Sequence, residues 1–210
     1  MTAPHQRIRP WSVIGLVVLI LTASACGSGD GGSTSAKKTA ASSTTSSDAP
    51  VPAESNPPGD IPDNLAFVRY TNKAGGYSFT HPEGWARAVK GVSVLFTDKL
   101  NGVAVTAKPE TSTPTVSHAR GVDIPRLKST ETAFQLRGVS AVKLPGGSGV
   151  RIVFRRNSEP DSVTGKVYRD EVEEYIILSS KHVIRMDLFG PVGADNVDAY
   201  RTMSRSLTSR

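Results

Sequence analysis

The stretch Tyr168–Phe189, YRDEVEEYIILSSKHVIRMDLF, decides the fold. Apolar and polar side chains alternate through Tyr168–Ser180 and again through His182–Phe189, and this period of two is that of a β-strand with one face buried. Ser180-Lys181 is the only break, so the two runs form one long antiparallel hairpin. The same pattern recurs upstream. Strands are expected at Leu65–Asn72, Tyr77–His81, Val92–Thr97, Val103–Lys108, Gly138–Lys143 and Gly149–Arg156. Gly75-Gly76 and LPGGSG mark turns between them, and Asn101-Gly102 is a strong hairpin signal because both residues tolerate positive φ. Arg151, Arg155 and Arg156 on one strand, and Asp170, Glu171, Glu173 and Glu174 on the next, are expected to pair across a ladder and fix its register, at ~0.2–1 kcal/mol per pair. Glu173 and Glu174 are neighbours on a strand and therefore point to opposite faces.

Two segments break the alternation. Thr115–Thr132 is polar and contains a helix, which Pro125 either shortens or restarts. GADNVDAYRTMSRSL near the C-terminus is amphipathic, with Asp195 as N-cap and Val197, Tyr200, Met203 or Ser204, and Leu207 on one face. The fold class is therefore α+β: a single domain with a mainly antiparallel sheet of about seven or eight strands, covered by a few helices.

The N-terminus is of a different kind. Met1–Pro10 carries Arg7 and Arg9 with no acid, and Trp11–Ala25 is an apolar run of about fifteen residues, shorter than the ~20 needed to span a bilayer. A basic start, a short apolar core and small residues at its end describe a secretory signal over residues 1–25. Cys26 follows directly and is the only cysteine in 210 residues. Ala23-Ser24-Ala25-Cys26 resembles a bacterial lipobox, which implies acylation of Cys26 and a lipid anchor at the extracytoplasmic face of the cell membrane. An uncleaved anchor and a plain signal cut after Ala25 are the alternatives. Residues 26–62 are rich in Ser, Thr, Gly, Ala and Pro, lack aromatics, and read as a disordered tether with an expected span of roughly 30–35 Å. Residues 63–210 then form the globular domain.

That domain carries 21 Lys and Arg against 15 Asp and Glu, a surplus that reads first as a solvated surface, with contact to anionic lipid or envelope polymer as the alternative. Nucleic acid is excluded as a partner by the export signal. The chemistry is sparse. His81, His118 and His182 are far apart and lack metal-ligand spacing, Gly146-Gly147-Ser148-Gly149 does not match a nucleophile elbow, and no cofactor motif is present. A catalytic Ser-His-Asp set would have to assemble from distant positions, with a serine hydroxyl on His118 or His182. No catalytic, cofactor-binding or metal residue is assigned. Tyr77, Phe79 and Trp85 are read as structural anchors of the core, with Pro82 and Gly84 turning the chain so that the indole reaches back over the sheet.

The segment Gly76–Trp85, GYSFTHPEGW, resembles the N-terminal signature of PsbP/Mog1-like domains, and the order of elements over Leu65–Leu207 agrees with it. His81 stands where that family usually has an aromatic residue. The lipobox and the Ser/Thr-rich tether are similar to those of the actinobacterial LpqN-like lipoproteins. The resemblance implies the fold and a non-enzymatic accessory or binding role in the cell envelope, toward an envelope protein or a lipid or polymer ligand. The competing expectation is a small-ligand-binding protein associated with a membrane transporter.

Overall fold

The computed structural model describes residues 59–161 and 163–209. The segments expected to be a signal and most of a tether, Cys26 included, lie outside the described residues.

Among the described residues ten strands, three α-helices and one π-helical turn follow one another in the order β1 Phe67–Asn72, β2 Tyr77–Pro82, β3 Ala86–Lys90, β4 Ser93–Asp98, β5 Asn101–Pro109, α1 Val116–His118, a π-helical turn Ala119–Asp123, α2 Ile124–Thr130, β6 Gln135–Leu144, β7 Gly147–Asn157, β8 Arg169–Ser179, β9 His182–Pro191, α3 Val197–Arg205 and β10 Thr208–Ser209. The strands form two sheets. Seven make an antiparallel sheet in the order β3-β4-β5-β9-β8-β7-β6, and three make a small one, β1-β2-β10. The anticipated hairpin β8–β9 lies near the middle of the large sheet, turning at Ser180-Lys181 with Ser180 at φ 53°.

One face of the large sheet packs on the small sheet and α3. Phe96, Val103, Met186 and Leu188 meet Tyr77, Phe79 and Trp85 from the β1–β3 region and Met203 from α3. Tyr77 and Phe79 are fully buried and Trp85 is 8% exposed. The Tyr77 hydroxyl reaches the carbonyls of Val92 (3.0 Å) and Val105 (3.1 Å), so its polar end is satisfied inside the core. His81 fills the aromatic place: its ring stacks on Phe96 at 3.7 Å between centroids, and burial lowers its pKa toward the neutral form. The opposite face carries a second core, in which Val150, Ile152, Phe154 and Val172 pack under the helical segment through Ala119 and Leu127. The π-helical turn ends two residues before Pro125, which has no amide hydrogen to give and sits in the first turn of α2, so the helix restarts rather than ends there.

Four expectations are corrected. Asn101-Gly102 does not turn: the chain reverses at Lys99-Leu100, with Lys99 at φ 50°, and Asn101 pairs with Asp98 as the first residue of β5. Both residues are needed elsewhere. Asn101 bonds across the fold, and a Cβ on Gly102 would come within 2.1 Å of the Phe189 ring. Strands β3 and β10 carry no alternation signal, because all five residues of β3 are exposed and β10 is two residues long. The α3 N-cap is Asn196 rather than Asp195, and Val197 is 61% exposed while Ala199 is buried in its stead.

The fourth concerns the domain boundary. Residues 59–62, assigned to the tether, are part of the folded body. Ile61 is buried, and its amide donates to Asn196 Oδ1 at 2.8 Å. Asn196 Nδ2 donates to Gly59 O (3.1 Å) and to Asn101 Oδ1 (2.9 Å), so one side chain clamps the incoming chain, β5 and the start of α3. Asn196→Ala removes all three bonds and should cost roughly 2–3 kcal/mol. The melting temperature is expected to fall by roughly 5–10 °C, and proteolysis ahead of Ile61 should quicken. An unchanged cleavage rate would show that the clamp does not hold the segment.

Candidate functional site

Register aligns the side chains of the large sheet into rows. One row on the helix-bearing face runs Ala88, Leu95, Ala104, Asp187, Glu174, Ile152 and Val139, one residue per strand from β3 to β6. The next row runs Lys90, Ser93, Thr106, Arg185, Ile176, Val150 and Ala141. Residues directly opposite one another share a face. The first row therefore passes from small or half-exposed residues, through the charged pair Asp187 and Glu174, to the core beneath the helices, and the second meets that core at Arg185.

The helical segment covers only the β6–β8 side. Over β3–β5 this face is open, and a cavity of about 460 Å³ lies there. Its floor is apolar along Ala88, Leu95 (38% exposed) and Ala104, with Lys90, Ser93 and Thr106 beside them, and its inner wall is formed by Arg126, Glu174, Arg185 and Asp187. The wall is one ion network. Glu174 Oε1 accepts from Arg126 Nη2 and Arg185 Nη1, each at 2.8 Å, and Arg185 Nη2 reaches Asp123 Oδ1 at 2.5 Å. Burial alone would lower the pKa of Arg185, but its bonds to Asp123 and Glu174 raise it on balance, so its charge is fixed. Burial, reinforced by the Glu174 carboxylate, pushes the Asp187 carboxyl up to about 7 against the pull of Arg156 and Arg126. Three carboxyl oxygens of the network, Asp123 Oδ2, Glu174 Oε2 and Asp187 Oδ1, are buried without a hydrogen-bond partner. Such atoms normally find one.

The expected ladder pairs form on both faces of the same strands, those of Arg151 and Arg155 away from the cavity and that of Arg156 on the helix-bearing face. Arg151 binds Glu173 in two places, Arg155 Nε donates to Glu171 at 2.8 Å, and Arg156 lies 3.9 Å from Asp170 while bonding Glu131 at 2.8 Å. Glu173 and Glu174 do face apart, the one toward Arg151 and the other into the cavity wall. Asp170, deeply buried, is pushed up to about 6. The histidines are not brought together: His81 is in the first core, His118 ends α1 and His182 begins β9. Among the described residues no serine hydroxyl bonds either His118 or His182, and no group of three ligating side chains could hold a metal ion. Asp187, Arg185 and Arg126 belong to no motif and were not expected as site residues. The one usable signal was an acid and an arginine at alternate positions of an otherwise apolar strand, HVIRMDLF.

No protein-family model matches the chain, and no curated protein matches it. Solved structures similar to it in fold include the following three. The cyanobacterial PsbP protein CyanoP of Synechocystis sp. PCC 6803 is 20% identical with a TM-score of 0.48, over 70% of this chain and 94% of that one. The Ran-binding protein Mog1p of Saccharomyces cerevisiae is 7% identical with a TM-score of 0.46, over 69% and 96%. LpqN of Mycobacterium tuberculosis, described as involved in cell envelope biogenesis, is 15% identical with a TM-score of 0.39, over 70% and 91%.

The raised Asp187 carboxyl makes stability depend on pH in a definite direction. Between its unfolded value near 3.8 and its folded value near 7, the native state holds the extra proton, so stability falls as pH rises across that window. Asp187→Asn cannot lose that proton. It should melt roughly 5 °C above the wild type at pH 8 and close to it at pH 4. A difference in melting temperature independent of pH would contradict the shifted carboxyl.

Proposed function

We propose that the chain is a lipid-anchored, extracytoplasmic binding module of the cell envelope, non-enzymatic, with the cavity over β3–β5 as its ligand site. The observation that carries the binding role is the cavity itself: an apolar floor joined to a wall of convergent charged groups, the composition of a small-molecule site. The wall offers carboxylates and guanidiniums but no activated nucleophile beside a base, so it suits recognition better than bond breaking. The anchor rests on the sequence before the domain: basic Arg7 and Arg9, the short apolar run, and Ala23-Ser24-Ala25-Cys26. Among the described residues no helix is long and apolar enough to cross a membrane, so attachment by the folded body itself would need another device. Two acyl chains on Cys26 would supply it, at ~0.8 kcal/mol per buried CH₂.

The cavity's size also favours a second reading, a small-ligand carrier associated with a membrane transporter. Crosslinking in intact cells separates the two: a reproducible transporter partner supports the carrier, and a partner without transport function supports the accessory module.

The anchor is tested by metabolic labelling with a palmitate analogue. The wild-type chain should be labelled and sediment with membranes, whereas Cys26→Ser should be unlabelled and lose its membrane retention. An unmodified Cys26 thiol in the membrane fraction would overturn the lipoprotein reading.

A further inference from the structure

Glu174 and Asp187 stand directly opposite each other on β8 and β9, on the cavity face of the sheet. Glu174 uses Oε1 for both arginines and leaves Oε2 with no partner, and Asp187 Oδ1 has none either. Glu174 is 2% exposed and Asp123 1%. With Arg156 and its partner Glu131 counted, the network thus sets four carboxyl groups (Asp123, Glu131, Glu174 and Asp187) against three guanidiniums (Arg126, Arg156 and Arg185). It is short of one positive charge and of hydrogen-bond donors, and an apolar floor adjoins it.

These shortages rank the ligand classes. A phosphate, sulfate or carboxylate would add acceptors to a wall that already has too many. A hydroxyl brings one donor but no charge. An alkylammonium brings three donors and the missing charge, and its chain covers the Ala88–Leu95–Ala104 floor. Lys90 does not reverse this ranking. It is exposed on β3, three strands from Asp187 and so roughly 14 Å away, where water and salt screen it.

We propose that the cavity binds an aliphatic ammonium ion, its head against the partly exposed Asp187 carboxyl and its chain along Leu95. This rests on the cavity being the ligand site of the module. The groups facing Asp187 are Glu174 and Arg185 from the neighbouring strand and its own, Arg126 from α2, Arg156 from β7, and Glu131 just beyond α2. Asp187 holds a proton when the cavity is empty at mildly acid pH. The arriving cation displaces it: the carboxyl O–H breaks, its proton leaves to solvent, and the carboxylate pairs with the ammonium.

The test uses the full-length chain carrying Cys26→Ser, with the methyl groups of Leu95 and Ala104 followed by NMR. n-Hexylammonium, n-hexanol and n-hexyl sulfate are titrated at pH 6 and pH 8. Hexylammonium should shift both methyls and bind about tenfold more tightly at pH 8, as displacement of a proton with a pKa near 7 requires. Asp187→Asn should lose at least about tenfold in affinity together with the pH dependence. Leu95→Gln, on the exposed floor, should weaken binding but keep the pH dependence. Equal binding of hexanol, tighter binding of hexyl sulfate, or no effect of pH would overturn the ammonium assignment and leave the cavity a ligand site. If none of the three probes moves these methyls in a folded chain, the ligand-site reading falls as well.

Discussion

Arg185 is the joint on which the architecture of the helix-bearing face depends. It rises from β9, near the middle of the large sheet, and its guanidinium joins Glu174 of the adjacent strand to Asp123 of the π-helical turn. Arg126 of α2 closes the set on the same Glu174 oxygen. The helical segment is thereby fixed at one lateral position. It covers β6 to β8 and stops, and everything beyond the line of Arg185 and Asp187 is open sheet.

Buried ion pairs rarely stabilise a fold better than well-packed apolar residues would, because each charge must first leave water. A network at this position is better explained by where it lies. It forms the boundary between a dry core, with Ile152 and Ile176 fully buried on one side, and a solvated floor on the other. Apolar residues in the same places would extend the floor without an edge and let the helical cover slide. Charged residues with fixed partners give the boundary a definite geometry. The cost appears as the unpartnered oxygens of Asp123, Glu174 and Asp187 and as the proton that Asp187 retains.

Most of the fold could be read from the chain because a hairpin is a local object. Tyr168–Phe189 shows its two strands and its turn within 22 consecutive residues, and the opposed charges of β7 and β8 confirm the register when they pair. Failures came where the deciding partner was remote. Asn101-Gly102 has the local chemistry of a turn, but Asn196 and Phe189, some ninety residues on, need it in a strand. Strand β3 has no buried face and so no pattern, and β10 exists because Ser78 and Tyr77 offer it an edge. The candidate site was the least legible part. Alternation showed that Glu173 and Glu174 face apart, but which face the helices leave uncovered follows from how far they extend, and no local pattern encodes that.

The floor of the cavity is open because of residue size as much as helix position. In the row from β3 to β5 the chain places Ala88, Leu95 and Ala104, and two of these three are the smallest apolar side chains available. A phenylalanine at either alanine would fill the volume and turn the site into a third, thin core. The opposite face of the same strands is closed without help from any ligand, by Phe96, Val103 and Val105 against the small sheet. The two faces of β4 and β5 therefore have separate tasks: one secures the strands, and the other is left shallow and apolar beside a charged edge. Because the secured face already holds these strands, occupation of the cavity can change without unfolding them, the condition a module must meet if it is to take up and release what it binds.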